Sequence, residues 1–128
     1  MYDIKELVKY IQNYESKFEE EICEPWFYFL ECGQKKVEGR LDKGRWNLLK
    51  TGDLVIFKNN DFLERRFTAK IVEKRKYNSF REYLEKEKNN NPLPCMKTIE
   101  HQLSVYYKYF THDDEKKYGV IAIEIEVL

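Results

Sequence analysis

Residues 33–40, Gly-Gln-Lys-Lys-Val-Glu-Gly-Arg, separate a helical pattern from a strand pattern, and the fold follows from this junction. Upstream, Pro25 suits the first position of a helix, and Gly33 suits the position just past its end. Downstream, residues 36–41 alternate between polar and apolar side chains, as a half-buried strand does. The stretch therefore predicts a helix, a tight turn and a strand in succession.

On the N-terminal side, apolar residues recur at helical spacing from Asp3 to about Phe18, which predicts an amphipathic helix. The acidic run that follows ends this pattern. Residues 21–24 are then predicted to form a short strand before Pro25.

On the C-terminal side, apolar runs predict strands over residues 54–57 and 66–77, joined by a hairpin turn at residues 59–61. Ser79, Thr98 and Thr111 each stand where a helix cap is expected, and residues 88–94 are expected to form a loop. Alternating Ile and Val residues over 120–127 predict a closing strand. Hairpins in the middle and helices at both ends argue against a parallel, doubly wound sheet. We therefore expect an α+β fold, a mostly antiparallel β-barrel with helices packed around it.

The charges of the chain balance but are unevenly distributed. It has 128 residues with 23 Lys+Arg and 23 Asp+Glu, a formal net charge of zero. Residues 35–76 nevertheless hold 13 Lys+Arg and 6 Asp+Glu, a net of +7, and both flanking segments are acidic. The neutral total excludes a polycation of the histone type. The basic middle leaves a local contact with RNA open, and there Arg45 and Trp46, in a predicted loop, are candidates for phosphate contact and base stacking. Core packing of Trp46 is the equally weighted alternative.

Several classes of site and location are excluded by what the sequence lacks. Three cysteines without paired spacing and two histidines do not make a zinc site, and no phosphate-binding or dinucleotide-binding glycine motif occurs. We therefore expect no metal and no cofactor. No apolar run approaches the roughly 20 residues of a membrane helix, and the first residues do not resemble a signal peptide. A cytoplasmic protein that does not contact the membrane is expected.

Residues 33–40 also fit the pattern G-x-K-x-x-E-x-R, and several separated sequence blocks follow them in order. These blocks are residues 50–53 before an apolar strand, 77–80 before a helix, 93–94, 98–100, and the closing segment 115–125. In this order they resemble the ASCH family, a branch of the PUA-like superfamily. The resemblance covers residues 21–128, so residues 1–20 are interpreted as an N-terminal helical extension.

The resemblance implies a PUA-like barrel with a cleft lined by the motif, which binds RNA, a nucleoside or a nucleotide. The ligand-binding residues expected on these grounds and from the basic segment are Gly33, Lys35, Glu38, Arg40, Arg45, Trp46, Ser79 and Glu100. Some small members of the family remove the acetyl group from acetylated cytidine, with a Thr at the position of Glu38. The Glu in this chain removes that hydroxyl, and if the protein is an enzyme, Lys35 and Glu38 are the catalytic candidates.

The cleft hypothesis carries a geometric condition. Glu38 and Arg40 are two apart on a strand and point the same way, whereas strict alternation turns Lys35 to the opposite face. Lys35 can join them only if it lies in the turn before the strand. An amidohydrolase or ribonuclease activity remains an alternative function, and so does an adaptor role in which the helix predicted over residues 3–18 docks a partner or a second copy.

Overall fold

The computed structural model describes residues 3–6 and 18–128. Its strands are β1 (Phe18–Ile22), β2 (Val37–Leu41), β3 (Leu54–Asn59), β4 (Arg66–Tyr77) and β5 (Val120–Val127). Its helices are α1 (Trp26–Glu31), α2 (Gly44–Leu48), α3 (Phe80–Lys86), α4 (Ile99–Tyr106) and α5 (His112–Tyr118), with a 3-10 turn at Lys88–Asn90. The α+β class is confirmed, and the elements predicted from residue 21 onward follow in the expected order, with α2 added where a loop was predicted.

The five strands form one sheet in the order β1-β3-β4-β5-β2. β2 pairs with β5, β5 with β4 and β4 with β3, all antiparallel, whereas β1 runs parallel to β3. The sheet curls into a half-barrel but does not close. The expected barrel is therefore wrong in this respect: within residues 18–128, no backbone ladder joins the edge strands β1 and β2.

Side chains instead bridge the two edges. Phe18 of β1 meets Trp46 of α2 edge-on, with 4.6 Å between ring centroids. Arg40 of β2 lies 3.9 Å from Glu20 of β1. These contacts bring the edges close together and leave an opening between them.

The N-terminal prediction needs a correction. Ile4–Glu6 are helical, residues 7–17 lie outside the described part, and Phe18 begins a strand instead of ending a helix. Phe18 pairs with Val55 and packs its ring into the core, which stabilises the extended backbone. The predicted strand at residues 21–24 thus lies at 18–22, and the sheet begins three residues before the expected boundary at 20/21.

Two apolar cores flank the sheet because its strands alternate. Ile121, Ile123 and Ile125 of β5 face an inner core that also holds Phe18 and Trp46. Val120 and Ala122 of β5 face an outer core between the sheet and helices α3 and α4. In β2 the residues opposite Ile121 and Ile123 are Arg40 and Glu38, so the charged face of β2 turns toward the inner side.

Candidate functional site

Lys35 lies in the turn between α1 and β2, as the cleft hypothesis requires. Helix α1 ends at Glu31, and Gly33 takes a positive φ of 83°, which a residue without Cβ adopts at no cost. The turn brings the backbone N–H of Lys35 to 2.9 Å from the carbonyl of Phe29. The alternation of β2 starts only at Val37, so the Lys35 side chain is free to turn inward.

The Lys35 ammonium is buried and fully hydrogen-bonded. The residue is 1% exposed. Its Nζ donates to the carbonyls of Val37 and Pro92, at 2.7 and 2.6 Å, and lies 3.3 Å from Oε1 of Glu38. Three ammonium protons thus meet three oxygen atoms, and none is left to hold a phosphate.

Glu38 lies between two cations. Its Oε1 faces Lys35, and its Oε2 lies 3.4 Å from Nη2 of Arg40. Arg40 reaches Glu20 with its other terminal nitrogen, and its guanidinium stands 5.3 Å from the centroid of the Trp46 ring. The cluster is therefore a chain of alternating charges across the gap between β2 and β1.

This arrangement sets the ionisation of each member. Burial by itself raises the pKa of Glu38, but the charges and hydrogen bonds of Lys35 and Arg40 outweigh it and hold that pKa below its ordinary value. Burial lowers the pKa of Lys35, against the opposing charge of Glu38. Burial is also the main cause that raises the pKa of Glu20. The carboxylate of Glu38 is thus ionised at neutral pH.

A cleft of about 310 Å³ opens between the end of β1, the outer edge of β2 and the end of α4. Its lining comprises Glu21, Ile22, Cys23, Trp26, Glu38, Gly39, Arg40, Asn60, Leu93, Val105, Tyr106, Tyr109 and Phe110. Most of these side chains are apolar or aromatic, and three carry charge. Lys35 does not line the cleft, and it is connected to the cleft through its contact with the Glu38 carboxylate.

Gly33 shapes the turn before β2 but does not line the cleft, and four further predicted site residues, Arg45, Trp46, Ser79 and Glu100, also lie outside the lining. Arg45 stacks its guanidinium 4.3 Å from the Phe18 ring centroid. Trp46, expected in a loop, lies in α2 and is 8% exposed, because its ring fills the inner core. Their position supports a structural role for both residues.

Ser79 and Glu100 also lie outside the lining of the cleft. The Ser79 hydroxyl accepts the backbone N–H of Glu82 at 3.1 Å and caps α3, as the sequence predicted. Glu100 is exposed and forms an ion pair with Arg81 at 2.8 Å. The structure therefore brings together Lys35, Glu38 and Arg40 but not these two residues.

The aromatic wall of the cleft was missed by sequence reasoning. Trp26, Tyr106, Tyr109 and Phe110 line the cleft, and none of them is among the ligand-binding residues expected from the sequence. Helical spacing marks a side chain as facing inward but does not distinguish a core from a cleft wall. Tyr109 is 66% exposed, which indicates that it is not a core residue, but this exposure cannot be read from the sequence.

The basic segment of the chain is partly neutralised in space. Lys58 of β3 forms an ion pair with Glu19 of β1. Arg65 lies 3.7 Å from Glu24 and 3.3 Å from Glu31. Because β1 packs beside β3, acidic residues of the N-terminal segment meet basic residues of the middle segment, and the local excess of +7 is not a continuous basic face.

Within residues 3–6 and 18–128, no group of three or more His, Cys, Asp or Glu residues is arranged to hold a metal ion. Nor does this part of the chain contain a helix with the length and apolarity needed to cross a membrane.

Comparison with known proteins places these features in a family. The model of the ASCH domain matches residues 21–128. The crystal structure of hypothetical protein PH0355 is 39% identical and covers 88% of this chain and 99% of its own, with a TM-score of 0.78. The solution NMR structure of protein PF0455 from Pyrococcus furiosus is 38% identical in sequence. The match covers 88% of this chain and 97% of that protein, with a TM-score of 0.72. No curated protein matches. On the family match and these two structures, the chain belongs to the ASCH domain family.

Proposed function

We propose that this protein binds a nucleobase, of a nucleoside or of an unpaired RNA nucleotide, in the cleft between β1 and β2. The observation that carries the proposal is the Glu38 carboxylate. It is ionised, it is held by Lys35 and Arg40, and it lines a cleft rich in aromatic side chains. A carboxylate in this position accepts a hydrogen bond from an exocyclic amine, as acidic side chains do with cytosine.

The aromatic residues supply the second half of the recognition. Trp26 comes from α1, Tyr106 is the last residue of α4, and Tyr109 and Phe110 lie just beyond that helix. A planar base stacks on such side chains with a gain of about 1–3 kcal/mol per base. The cleft volume of about 310 Å³ is at the lower end of the range that small ligands occupy.

The charges of the cleft favour a base over a phosphate inside it. Glu21 and Glu38 line it with only one cation, Arg40, which is already engaged by Glu38 and Glu20. An anion entering the cleft would meet a net negative lining. We therefore place the base inside, with the sugar and any phosphate outside.

Hydrolysis of acetylated cytidine has less support. Glu38 stands where such enzymes have their hydroxyl, and the Lys35 ammonium is directed at Val37, Pro92 and Glu38 and away from the cleft. The binding function needs no change in these contacts.

Isothermal titration of the four common nucleosides and a short single-stranded RNA tests the proposal. Cytidine, adenosine and guanosine carry an exocyclic amine and should bind more tightly than uridine. Glu38→Gln replaces the acceptor with a mixed group and should weaken cytidine binding about tenfold, because a good hydrogen-bonded pair contributes roughly 1–3 kcal/mol of discrimination.

Glu85→Gln is the matched control, since Glu85 is exposed on α3 and does not line the cleft. It should bind cytidine as the unaltered protein does. The proposal is wrong if none of these ligands binds, or if Glu38→Gln binds cytidine with unchanged affinity.

A further inference from the structure

A second buried carboxylate, Glu87 at the end of α3, is not among the residues that line the cleft. It is 2% exposed. Its oxygens accept two hydrogen bonds from Arg75, both at 2.7 Å, one from the Tyr77 hydroxyl and one from Asn90 at 2.9 Å. Four donors thus fix one side chain in a single orientation.

Glu87 begins the segment that reaches back to the motif. The backbone N–H of Asn90 donates to the Glu87 carbonyl at 2.8 Å, and the Asn90 side chain donates to its carboxylate. Both ends of Asn90 are therefore tied to the same residue. This anchoring fixes where residues 90–92 leave the 3-10 turn.

Residues 90–92 in turn hold the turn before β2 through three hydrogen bonds. The Asn90 carbonyl accepts the backbone N–H of Lys36 at 3.0 Å, and the Asn91 side chain donates to the Gln34 carbonyl at 3.1 Å. The Pro92 carbonyl accepts Nζ of Lys35 at 2.6 Å. A single segment therefore contacts three successive residues of the motif.

We propose that Glu87 is a positioning residue for the cleft, which holds the Lys35 ammonium through Asn90 and Pro92 and thereby orients the Glu38 carboxylate. Its consequence for ligand binding rests on the proposed function. The contact between Lys35 and Glu38 does not, and it can be measured without a ligand.

The test follows the Lys35 ammonium by NMR of lysine labelled with ¹⁵N. A buried, triply hydrogen-bonded ammonium exchanges its protons slowly and gives its own signal. Glu87→Gln and Asn90→Ala should each accelerate that exchange at least tenfold or shift the signal, because the Pro92 carbonyl is no longer held against Nζ. Asn90→Ala keeps the pair of Glu87 and Arg75, so it decides the matter if Glu87→Gln does not fold.

Glu115→Gln is the matched control. Glu115 is also buried, and it accepts the backbone N–H of Phe80 at 2.8 Å and the Tyr107 hydroxyl at 2.7 Å, with no link to residues 90–92. The control should leave the Lys35 signal unchanged. An unchanged signal in both Glu87→Gln and Asn90→Ala overturns the proposal, as does an equal change in Glu115→Gln.

Cytidine titration of the same variants adds a second measurement. If the cleft binds cytidine, Asn90→Ala should weaken that binding about threefold to tenfold, and Glu115→Gln should not. A displaced Lys35 signal with no cytidine binding by the unaltered protein would support the positioning role and contradict the proposed function, so the two proposals fail separately.

Discussion

Glu38 and Glu87 are both buried carboxylates beside arginine, but their surroundings differ in one decisive respect. Glu87 receives four hydrogen bonds, the three from nitrogen donors at 2.7–2.9 Å. Glu38 has two cationic neighbours at the longer distances of 3.3 and 3.4 Å, and its side chain borders an open cleft. One carboxylate has used its capacity to accept hydrogen bonds, and the other has retained part of it.

The comparison separates a structural carboxylate from the proposed recognition site. Both carry depressed pKa values, so ionisation alone does not distinguish them. The distinction comes from the longer contacts of Glu38 and from the cleft that it borders, which together leave it able to accept a further hydrogen bond. Two substitutions and one change of ligand test this distinction between Glu38 and Glu87, in order of decreasing expected effect.

Glu87→Gln should have the largest effect on stability, about 3 kcal/mol lost from the free energy of unfolding near pH 7, because it removes the buried carboxylate that accepts hydrogen bonds from Arg75, Tyr77 and Asn90. Arg75 keeps its ion pairs with Glu73 and Glu124. Burial raises the pKa of Glu87, but hydrogen bonds from Arg75, Tyr77 and Asn90 lower it by a larger amount. The net result is a pKa that falls from 4.5 to about 2. The stabilisation is therefore present above the unfolded pKa and is lost as pH falls from 4.5 toward 2. Urea unfolding at neutral and acidic pH should show the two proteins converging with acid. A difference that stays constant with pH would contradict the role assigned to this carboxylate.

Gly39→Ala should act on the strand that carries Glu38 and leave the contacts of Glu87 in place. A Cβ on Gly39 would lie 2.7 Å from ring atoms of Tyr83, which is fully buried and cannot move aside. Overpacking of this kind costs about 1–3 kcal/mol. Thermal unfolding measures the loss, and adding Tyr83→Leu should recover part of it because the two residues touch. If Gly39→Ala is as stable as the unaltered protein, β2 is not pressed against Tyr83.

The smallest expected effect concerns the charge around Glu38. Cytidine monophosphate should bind about fivefold more weakly than cytidine at low salt, since its phosphate lies near the net negative lining of the cleft. The difference should shrink with added salt and with Glu21→Gln, which removes a charge at the lining. Tighter binding of the monophosphate than of cytidine would show that a cation near the cleft is available to the phosphate. It would contradict the inference that the cleft lining repels an anion.

The sequence predicts much of the fold because its local signals are strong. Alternation along residues 120–127, the capping Ser79 and Gly33 after α1 each specify a local conformation that the structure confirms. Phe18 is the exception: its spacing fits a helix, but pairing with β3 is a long-range effect that no local pattern contains. The open edge between β1 and β2 is invisible for the same reason.

The candidate site divides along similar lines. The motif predicts that Lys35, Glu38 and Arg40 meet, and the turn after Gly33 makes this possible. It does not indicate that Lys35 faces Pro92, a contact across 57 positions of the chain. The cleft wall from Trp26 and Tyr109 depends on how α1 and the end of α4 pack, which spacing alone does not determine.

The unpaired edges of the half-barrel affect how the cleft opens. Its width is set by the contacts of Phe18 with Trp46 and of Arg40 with Glu20, and by no backbone ladder between β1 and β2 in the described residues. Side-chain contacts of this kind rearrange faster and at lower cost than a strand pair separates. We therefore expect the cleft to widen for the proposed ligand while every strand keeps its neighbours, and amide hydrogen exchange should report a sheet that stays protected during entry.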